Sequence, residues 1–284
     1  MLKKHFSDYI TENNREGSGK ASSYIRAIDL LEEMISRKPV NFGDCSDLWN
    51  ITSVTRLQDL YTFTKSEQAK KDRSVWAIQG IPKSYLRDGF CSAALKTYQE
   101  FLIEFQYENL LLTAFKDHKG SEDELPQKLK TDFQYPKHLL SDLDTLKGKE
   151  VVRSVKTRSN QNVFRKMILQ IYNNECCITG LNIPEINRAS HIIPWSADKD
   201  KRLDPRNGLC LSATYDAAFD RNLISLDEDY RIIISKDIKD HYTSQSVDQY
   251  FLKKEGQRIT MPNSYKPESS YLEVHRMAGN FKRL

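Results

Sequence analysis

The chain has 284 residues, of which 39% are hydrophobic and 29% charged, and its net charge is +4. This length can form one large hydrophobic core or two ordinary ones. No run of about 18 apolar residues is present, so we expect no membrane partner. The first residues, MLKKHFSDYITENN, include basic residues but lack the apolar stretch of a secretory signal.

The cysteines indicate a reducing environment. The chain contains five of them, and none are spaced as a CxxC pair. An odd number without paired spacing fits free thiols better than a disulfide framework. We therefore expect a cytoplasmic protein.

The first part of the chain is predicted to be a mostly helical domain, residues 1–118. Apolar residues recur at helical spacing over Ser22–Ser36, with Ser22 or Ser23 as a candidate N-cap, and again over Cys91–Phe105. The segment Asp72–Phe90 between them contains aromatic residues and glycines, which predicts short strands or turns. Its Trp76, Tyr85 and Phe90 could stack on a base, although packing in the core is the more common role of such residues.

Residues 119–150 are predicted to be a linker, since the segment is densely charged and contains two prolines. A second domain, residues 151–284, follows. It holds 21 Lys and Arg against 16 Asp and Glu, a net charge of +5, whereas the rest of the chain has a net charge of −1. An excess this small fits a phosphate-binding surface and an ordinary solvated surface about equally well.

The second domain is predicted to begin with a helix over Asn160–Tyr172. Two apolar runs within Glu175–Trp195 are separated by a turn at Gly180, which predicts a pair of strands. The segment Leu209–Ile224 predicts a short strand that continues into a helix capped by Ser212 or Thr214. The fold class is therefore α+β.

Three motifs occur in order at 189–220: ASHIIPW, NGLCL and YDAAFD. Together they resemble the HNH, or ββα-metal, endonuclease superfamily, in its restriction-like branch. The resemblance covers Gln161 to about Ile234, and Tyr271–Phe281 also resembles a segment of these proteins. It implies a C-terminal ββα-metal nuclease domain that hydrolyses DNA phosphodiester bonds and leaves 5′-phosphate and 3′-hydroxyl ends.

The resemblance also implies catalytic roles. His191 corresponds to the general base, and a free histidine can accept a proton at neutral pH. Asn207 corresponds to the asparagine that ties the loop to the strand, although Asn-Gly is also an ordinary turn dipeptide. Asp216 corresponds to a metal ligand of the catalytic centre.

A divalent metal site is expected from Asp216, Asp220 and Ser190. The two aspartates are four residues apart on the predicted helix, so both face the same side, and a cation between them would remove their repulsion. Ser190 stands where relatives often have Asp or His, and a hydroxyl is a weak ligand. Oxygen ligands favour Mg²⁺ or Mn²⁺. No structural zinc is expected, since Cys177 and Cys210 lack paired cysteines and are predicted to be buried.

Seven cations of the second domain are candidate ligands for the DNA backbone, although each could also be an ordinary surface charge. They are Lys199, Lys201, Arg202, Arg206, Arg221, Arg158 and Arg165. The partner expected from the resemblance is double-stranded DNA, plain or modified, and cutting both strands with one site per chain favours a homodimer.

The sequence thus predicts a metal-dependent endonuclease of restriction type that the N-terminal domain directs to particular or modified DNA. Two alternatives stay open. One is a toxin-like nuclease of low selectivity, against which the sizeable first domain argues. The other is a DNA-binding protein that retains the fold without cutting, which Ser190 favours and His191, Asp216 and Asp220 oppose.

Overall fold

A computed structural model describes residues 2–14, 19–131, 133–140 and 145–281. Residue 132 and residues 141–144 of the predicted linker lie outside the described residues. The chain divides into two compact units. The N-terminal unit comprises Met1–Tyr107 and Gln134–Val152, and the C-terminal unit comprises Glu108–Phe133 and Arg153–Leu284. Within the described ranges, no helix is both long enough and apolar enough to cross a membrane.

Helices dominate the first half of the chain, as expected. They are α1 (Leu2–Glu12), α2 (Lys20–Arg37), α3 (Val54–Ala69), α4 (Lys83–Arg87), α5 (Phe90–Lys116), α6 (Leu125–Lys128) and α7 (Thr145–Ile171). Short 3-10 turns lie at Gly43–Cys45, Leu48–Asn50, Lys71–Arg73 and Lys137–Leu140.

The predicted helix over Ser22–Ser36 is confirmed as α2, but its cap is not. The helix begins at Lys20 after Gly19, which adopts a left-handed backbone with a φ of 63°. The hydroxyl of Ser22 donates to the Gly19 carbonyl instead of capping the helix. The helices predicted at Cys91 and Asn160 are the first part of α5 and the last part of α7, each of which has 27 residues.

The region between α3 and α5 forms turns and the short helix α4, so of the short strands or turns predicted there, turns are present. Trp76 is only 1% exposed, and its ring meets Phe63 edge-on at 5.0 Å. Its indole nitrogen donates to the Lys38 carbonyl at 2.9 Å. Because Trp76 is a core residue held at both ring and nitrogen, it is not available to stack on a base.

The second half of the chain holds all the strands of the described residues and several short helices. They are β1 (Asn187–His191), β2 (Gly208–Ser212), α8 (Ala213–Asp220), β3 (Ile224–Leu226), β4 (Ile232–Ile234), α9 (Lys236–His241), α10 (Gln245–Tyr250) and α11 (Ser269–Ala278). The strands form two antiparallel pairs, β1 with β2 and β3 with β4. A helical first part followed by small antiparallel sheets confirms the α+β fold class.

The strand pair predicted within Glu175–Trp195 was wrong, because β1 pairs with β2 across a long loop. The first apolar run, which includes Cys176 and Cys177, forms a turn closed by a hydrogen bond from the Gly180 amide to the Cys176 carbonyl. All five cysteines are buried and free. Burial explains why this run is apolar although it forms no strand.

The predicted strand and helix at Leu209–Ile224 are confirmed as β2 and α8. Ser212 occupies the N-cap position with an extended backbone, although its side chain makes no capping hydrogen bond. Antiparallel β1 and β2 followed directly by α8 form the ββα arrangement of the site described next.

Candidate active site

The register of β1 and β2 fixes the position of the predicted base. His191, the last residue of β1, lies opposite Gly208, and Ser190 lies opposite Leu209. A Cβ atom at Gly208 would come within 2.3 Å of the Ile168 side chain and 2.8 Å of the Phe164 ring. The glycine is therefore required by the close packing of α7 on β2, and the Asn-Gly dipeptide here begins a strand.

The ring of His191 is held between aromatic side chains. It stacks on Phe164 with ring centroids 3.6 Å apart, and Trp195 meets it edge-on at 5.3 Å. Its Nε2 lies 3.1 Å from the Arg202 carbonyl oxygen. Since a carbonyl oxygen can only accept, Nε2 carries the proton of the neutral ring, and Nδ1 carries the lone pair.

Burial lowers the pKa of His191 to about 4, because the surroundings disfavour the charged ring. The hydrogen bond to the Arg202 carbonyl opposes this shift, and the Arg202 charge reinforces it. At neutral pH the imidazole is therefore uncharged and able to accept a proton at Nδ1.

Asn207 fastens the loop between the two strands. The side chain is 1% exposed. Its Oδ1 accepts from the Ile193 amide at 2.7 Å, and its Nδ2 donates to the carbonyls of Ile193 and Lys201 at 3.2 and 3.1 Å. Its own carbonyl accepts from the Ile192 amide at 2.9 Å. Three of these four bonds hold the two residues directly after His191, and the fourth holds the loop at Lys201.

Two carboxylates of α8 and one hydroxyl of β1 form the acidic part of the site. Ser190 is 2% exposed, and its hydroxyl donates to Oδ1 of Asp216. Asp220 lies one helical turn further on, at the end of α8. Desolvation and the charge of Asp216 raise the pKa of Asp220, while Arg221 opposes the shift. The pair thus repels in the absence of a cation.

One cavity of about 620 Å³ brings most of these groups together. Of the predicted site residues, it is lined by Ser190, His191, Asp216, Asp220 and Arg165. Asn207 does not line the cavity, and its buried side chain binds the backbone of the loop instead. The cavity thus brings together a neutral imidazole, two carboxylates and an arginine beside apolar walls.

Comparison with known families agrees with this geometry. Residues 176–227 match a family model described as HNH endonuclease. The matched segment contains β1, β2, α8 and β3. It supports the HNH superfamily for this part of the chain, and hence a nuclease that acts on DNA. A comparison with curated proteins finds no match.

Two of the candidate DNA-binding cations already bind acceptors within the protein. Arg206 forms ion pairs with Asp204 at 3.0 Å and Glu268 at 3.7 Å, and also contacts Asp123. Arg165 donates to the carbonyls of Asn187 and Pro184. Both guanidiniums thus bind groups of the protein itself.

The other candidate cations lie nearer to solvent or outside the cavity lining. Arg202 donates to the Trp195 carbonyl at 2.8 Å and packs on the Trp195 ring, and Lys201 pairs with Asp198 at 3.3 Å. Lys199 and Arg221 are exposed, and Arg221 donates to the Ala217 carbonyl at 2.9 Å. Arg158 is half-buried on α7. Their contact with DNA stays a prediction.

Sequence reasoning missed Arg188. It lies two residues before Ser190 on β1, is exposed, and lines the cavity. One of its guanidinium nitrogens donates to the Glu185 carbonyl at 2.9 Å. Side chains two residues apart on a strand point to the same face, so the position of Ser190 could have identified Arg188 as a residue of the site.

His275, on α11, also lines the cavity. Its ring stacks on Phe219 at 3.8 Å, and Nε2 lies 3.0 Å from the Phe219 carbonyl. Nδ1 lies 2.8 Å from the Ser225 hydroxyl. Burial lowers its pKa to about 4. Because both ring nitrogens form hydrogen bonds within the protein, His275 stabilises the wall of the cavity.

Asp216 and Asp220 are the groups of this cavity that could hold a divalent cation. Mg²⁺ is commonly held by one or two carboxylates, with water and substrate phosphate completing its shell. Asp216 and Asp220 supply two carboxylates, and their mutual repulsion favours a cation between them. In the described parts of the chain, no three His, Cys, Asp or Glu residues are grouped to hold a metal. Substrate phosphate and water would therefore have to complete the shell, with the Ser190 hydroxyl beside it.

Proposed function

We propose that the protein is a metal-dependent DNA endonuclease of a bacterial restriction or defence type that acts in the cytoplasm. The observation that carries this proposal is the shared cavity of His191, Ser190, Asp216 and Asp220 within the segment that matches the HNH endonuclease family. Double-stranded DNA is the proposed substrate, and two copies of the chain would cut its two strands.

His191 is the proposed general base. With Nε2 bound to the Arg202 carbonyl, Nδ1 takes the proton of the attacking water. Phe164 and Trp195 hold the ring in place, and Asn207 fixes the backbone that follows it. These contacts orient the base before substrate binds, so little reorganisation is needed during the reaction.

Asp216 and Asp220 are the proposed holders of Mg²⁺ or Mn²⁺, with Ser190 orienting Asp216. The bound cation would supply charge neutralisation at the phosphate and at the departing oxygen. Arg188, exposed at the same cavity, is proposed to hold a phosphate oxygen of the scissile group. A positive side chain there also offsets the two carboxylates when the anionic substrate approaches.

The N-terminal domain is proposed to direct the nuclease to particular or modified DNA. Among the aromatic residues considered for base stacking, Tyr85 and Phe90 remain accessible; Phe90 is 42% exposed and lies 5.4 Å from the Tyr85 ring. A sizeable helical unit beside a nuclease segment supports a restriction enzyme over a toxin-like nuclease.

A cleavage assay tests the proposal. The full chain is incubated with Mg²⁺ or Mn²⁺ and with plain or cytosine-modified plasmid, in parallel with His191→Ala. Discrete fragments made by the parent protein alone support a restriction enzyme, whereas a smear indicates a toxin-like nuclease. Equal cutting by His191→Ala would contradict the assigned base.

The second candidate is a DNA-binding protein that does not cut. The observation in its favour is the serine at position 190, where a third strong ligand could stand. Intact plasmid in every lane, together with retention of the DNA on the protein, would establish this alternative. Ser190→Asp tests it further, because a third carboxylate should strengthen metal binding if the site is catalytic.

A further inference from the structure

Positive charge is concentrated on one surface of the N-terminal unit. The end of α3, the 3-10 turn Lys71–Arg73 and α4 form what we call the α3–α4 basic surface. Its exposed cations are Lys65, Lys70, Lys71, Arg73, Lys83 and Arg87. Residues 65–88 hold these six cations against three acids, a net charge of +3, whereas the rest of the unit has 12 cations against 14 acids. Lys70, Lys83 and Arg87 form ion pairs with Glu67, Asp72 and Asp88. The charge is therefore local to this surface.

A buried carboxylate holds the turn of this surface in place. Glu67 is 1% exposed and accepts hydrogen bonds from the Ser74 hydroxyl and the Val75 amide, both at 2.9 Å. Asp72 in the turn pairs with Lys83 of α4 at 3.4 Å. The backbone that carries Lys71 and Arg73 is thus fixed by contacts on both sides, so less conformational freedom is lost when these cations bind a partner.

Lys71 occupies an unusual backbone conformation. Its φ is 50°, in the left-handed region that glycine and asparagine adopt more easily than lysine does. The turn alone would therefore favour one of those residues. A lysine nevertheless occupies this exposed position, so the turn presents its cationic side chain to solvent.

Two aromatic rings adjoin the cations. Tyr85 lies on α4 between Lys83 and Arg87, and it packs against Phe90, which is 42% exposed. Cations next to accessible aromatic rings suit the backbone of DNA, whose phosphates bind the cations and whose sugars can contact the rings.

We propose that the α3–α4 basic surface binds the phosphate backbone of duplex DNA. The inference rests on the proposed function, because it identifies where the N-terminal unit would grip the DNA that the HNH segment cuts. Lys71 and Arg73 are the central contacts, since both are exposed on the fixed turn.

The test measures binding of the full chain to a labelled duplex in EDTA, so that cleavage cannot contribute. The variant Lys71→Ala/Arg73→Ala is compared with Lys4→Ala/Arg26→Ala, which removes the same charge from exposed positions on α1 and α2. We expect the first variant to bind about tenfold more weakly at low salt. The slope of log Kd against log salt should fall by about 2, roughly one for each lost phosphate contact. The control should bind like the parent.

A third variant separates binding from folding. Lys71→Asn supplies a residue that tolerates the left-handed backbone, so its thermal midpoint should equal or exceed that of the parent. Its duplex affinity should nevertheless fall. Weak binding together with a lowered midpoint in all Lys71 variants would overturn the inference.

Several other results would overturn it. They are equal affinities of the two double variants, absence of duplex binding by the parent, or tighter binding of the parent to anionic vesicles than to the duplex. The inference and the proposed function can fail separately. A parent that cuts plasmid while the surface variants bind normally refutes only the inference, whereas binding that depends on Lys71 and Arg73 without any cutting refutes only the nuclease activity.

Discussion

Replacing Asp220 with asparagine should stabilise the protein when no divalent cation is present. Asp220 ends α8, where the helix dipole is negative, and Asp216 lies one turn before it. A like-charge pair at this spacing costs about 0.2–0.5 kcal/mol. A carboxylate at a helix C-terminus costs roughly 0.3–1 kcal/mol. Since the neighbouring Arg221 offsets part of both costs, we expect a gain of about 0.5–1 kcal/mol.

The assay is thermal unfolding at neutral pH, with EDTA or with millimolar Mg²⁺ or Mn²⁺. In a domain of 150–250 residues, the expected gain in EDTA raises the midpoint by about 1–4 °C. The cation should stabilise the parent, by about 1.4 kcal/mol at ten times its Kd, but should stabilise Asp220→Asn much less. Asp229→Asn is the control, because it removes an exposed carboxylate outside the cavity.

The effect of pH has a definite sign. The pKa of Asp220 is raised in the folded protein, so folding is opposed at neutral pH by the charged form. As pH falls through the folded pKa and then the unfolded pKa near 3.9, this opposition disappears. The stability difference between the parent and Asp220→Asn should therefore vanish at low pH. A less stable Asp220→Asn variant in EDTA, or an equal response of both proteins to the cation, would refute the reasoning.

Three further predictions concern the same site. An NMR titration of His191 should show protonation near pH 4 and no transition near 6.5, and a pKa above 6 would contradict the assigned tautomer and burial. Asn207→Ala should lower the free energy of unfolding by about 2–4 kcal/mol, because it leaves buried backbone groups without hydrogen-bond partners. Urea denaturation measures this change. A loss below about 0.5 kcal/mol would show that the Asn207 side chain does not hold the loop. Arg188→Ala should lower kcat/KM for cleavage by about 10–100-fold if a charge-assisted bond to phosphate is lost. Arg188→Lys should restore part of the rate and Arg231→Ala should change nothing, whereas equal rates for all three would remove Arg188 from the site.

Features set by neighbouring residues could be predicted from the sequence. The strand and helix at Leu209–Ile224 follow from a short apolar run, a serine at the cap position and helical spacing, all within 16 residues. The partner of β1 could not be predicted in this way. The apolar run at Cys176 and Cys177 is as hydrophobic as a strand, but its turn is buried by distant residues, and pairing with β2 depends on a loop of 16 residues.

Loop cations illustrate the same limit. Arg206 and Arg165 have the charge that DNA binding needs, but the folded chain supplies them with internal acceptors that are distant in sequence, such as Glu268 for Arg206 and Asn187 for Arg165. The spacing of two residues places Arg188 on the same face of β1 as Ser190, but the cavity that it lines is completed by residues of α7, α8 and α11 that are distant in sequence. Charge in a sequence predicts attraction to phosphate, but whether a guanidinium is available depends on tertiary contacts.

The choice of base between two histidines depends on a single hydrogen bond. His191 and His275 both line the cavity, both stack on a phenylalanine, and both have a pKa of about 4. In each ring Nε2 donates to a backbone carbonyl. At His275 the Ser225 hydroxyl also binds Nδ1, so accepting a proton there would require breaking that bond. His191 has a carbonyl at Nε2 and aromatic faces around the ring, which leaves Nδ1 as its basic atom. The pKa does not distinguish the two residues, whereas the partner of Nδ1 selects the same histidine as the ASHIIPW motif does.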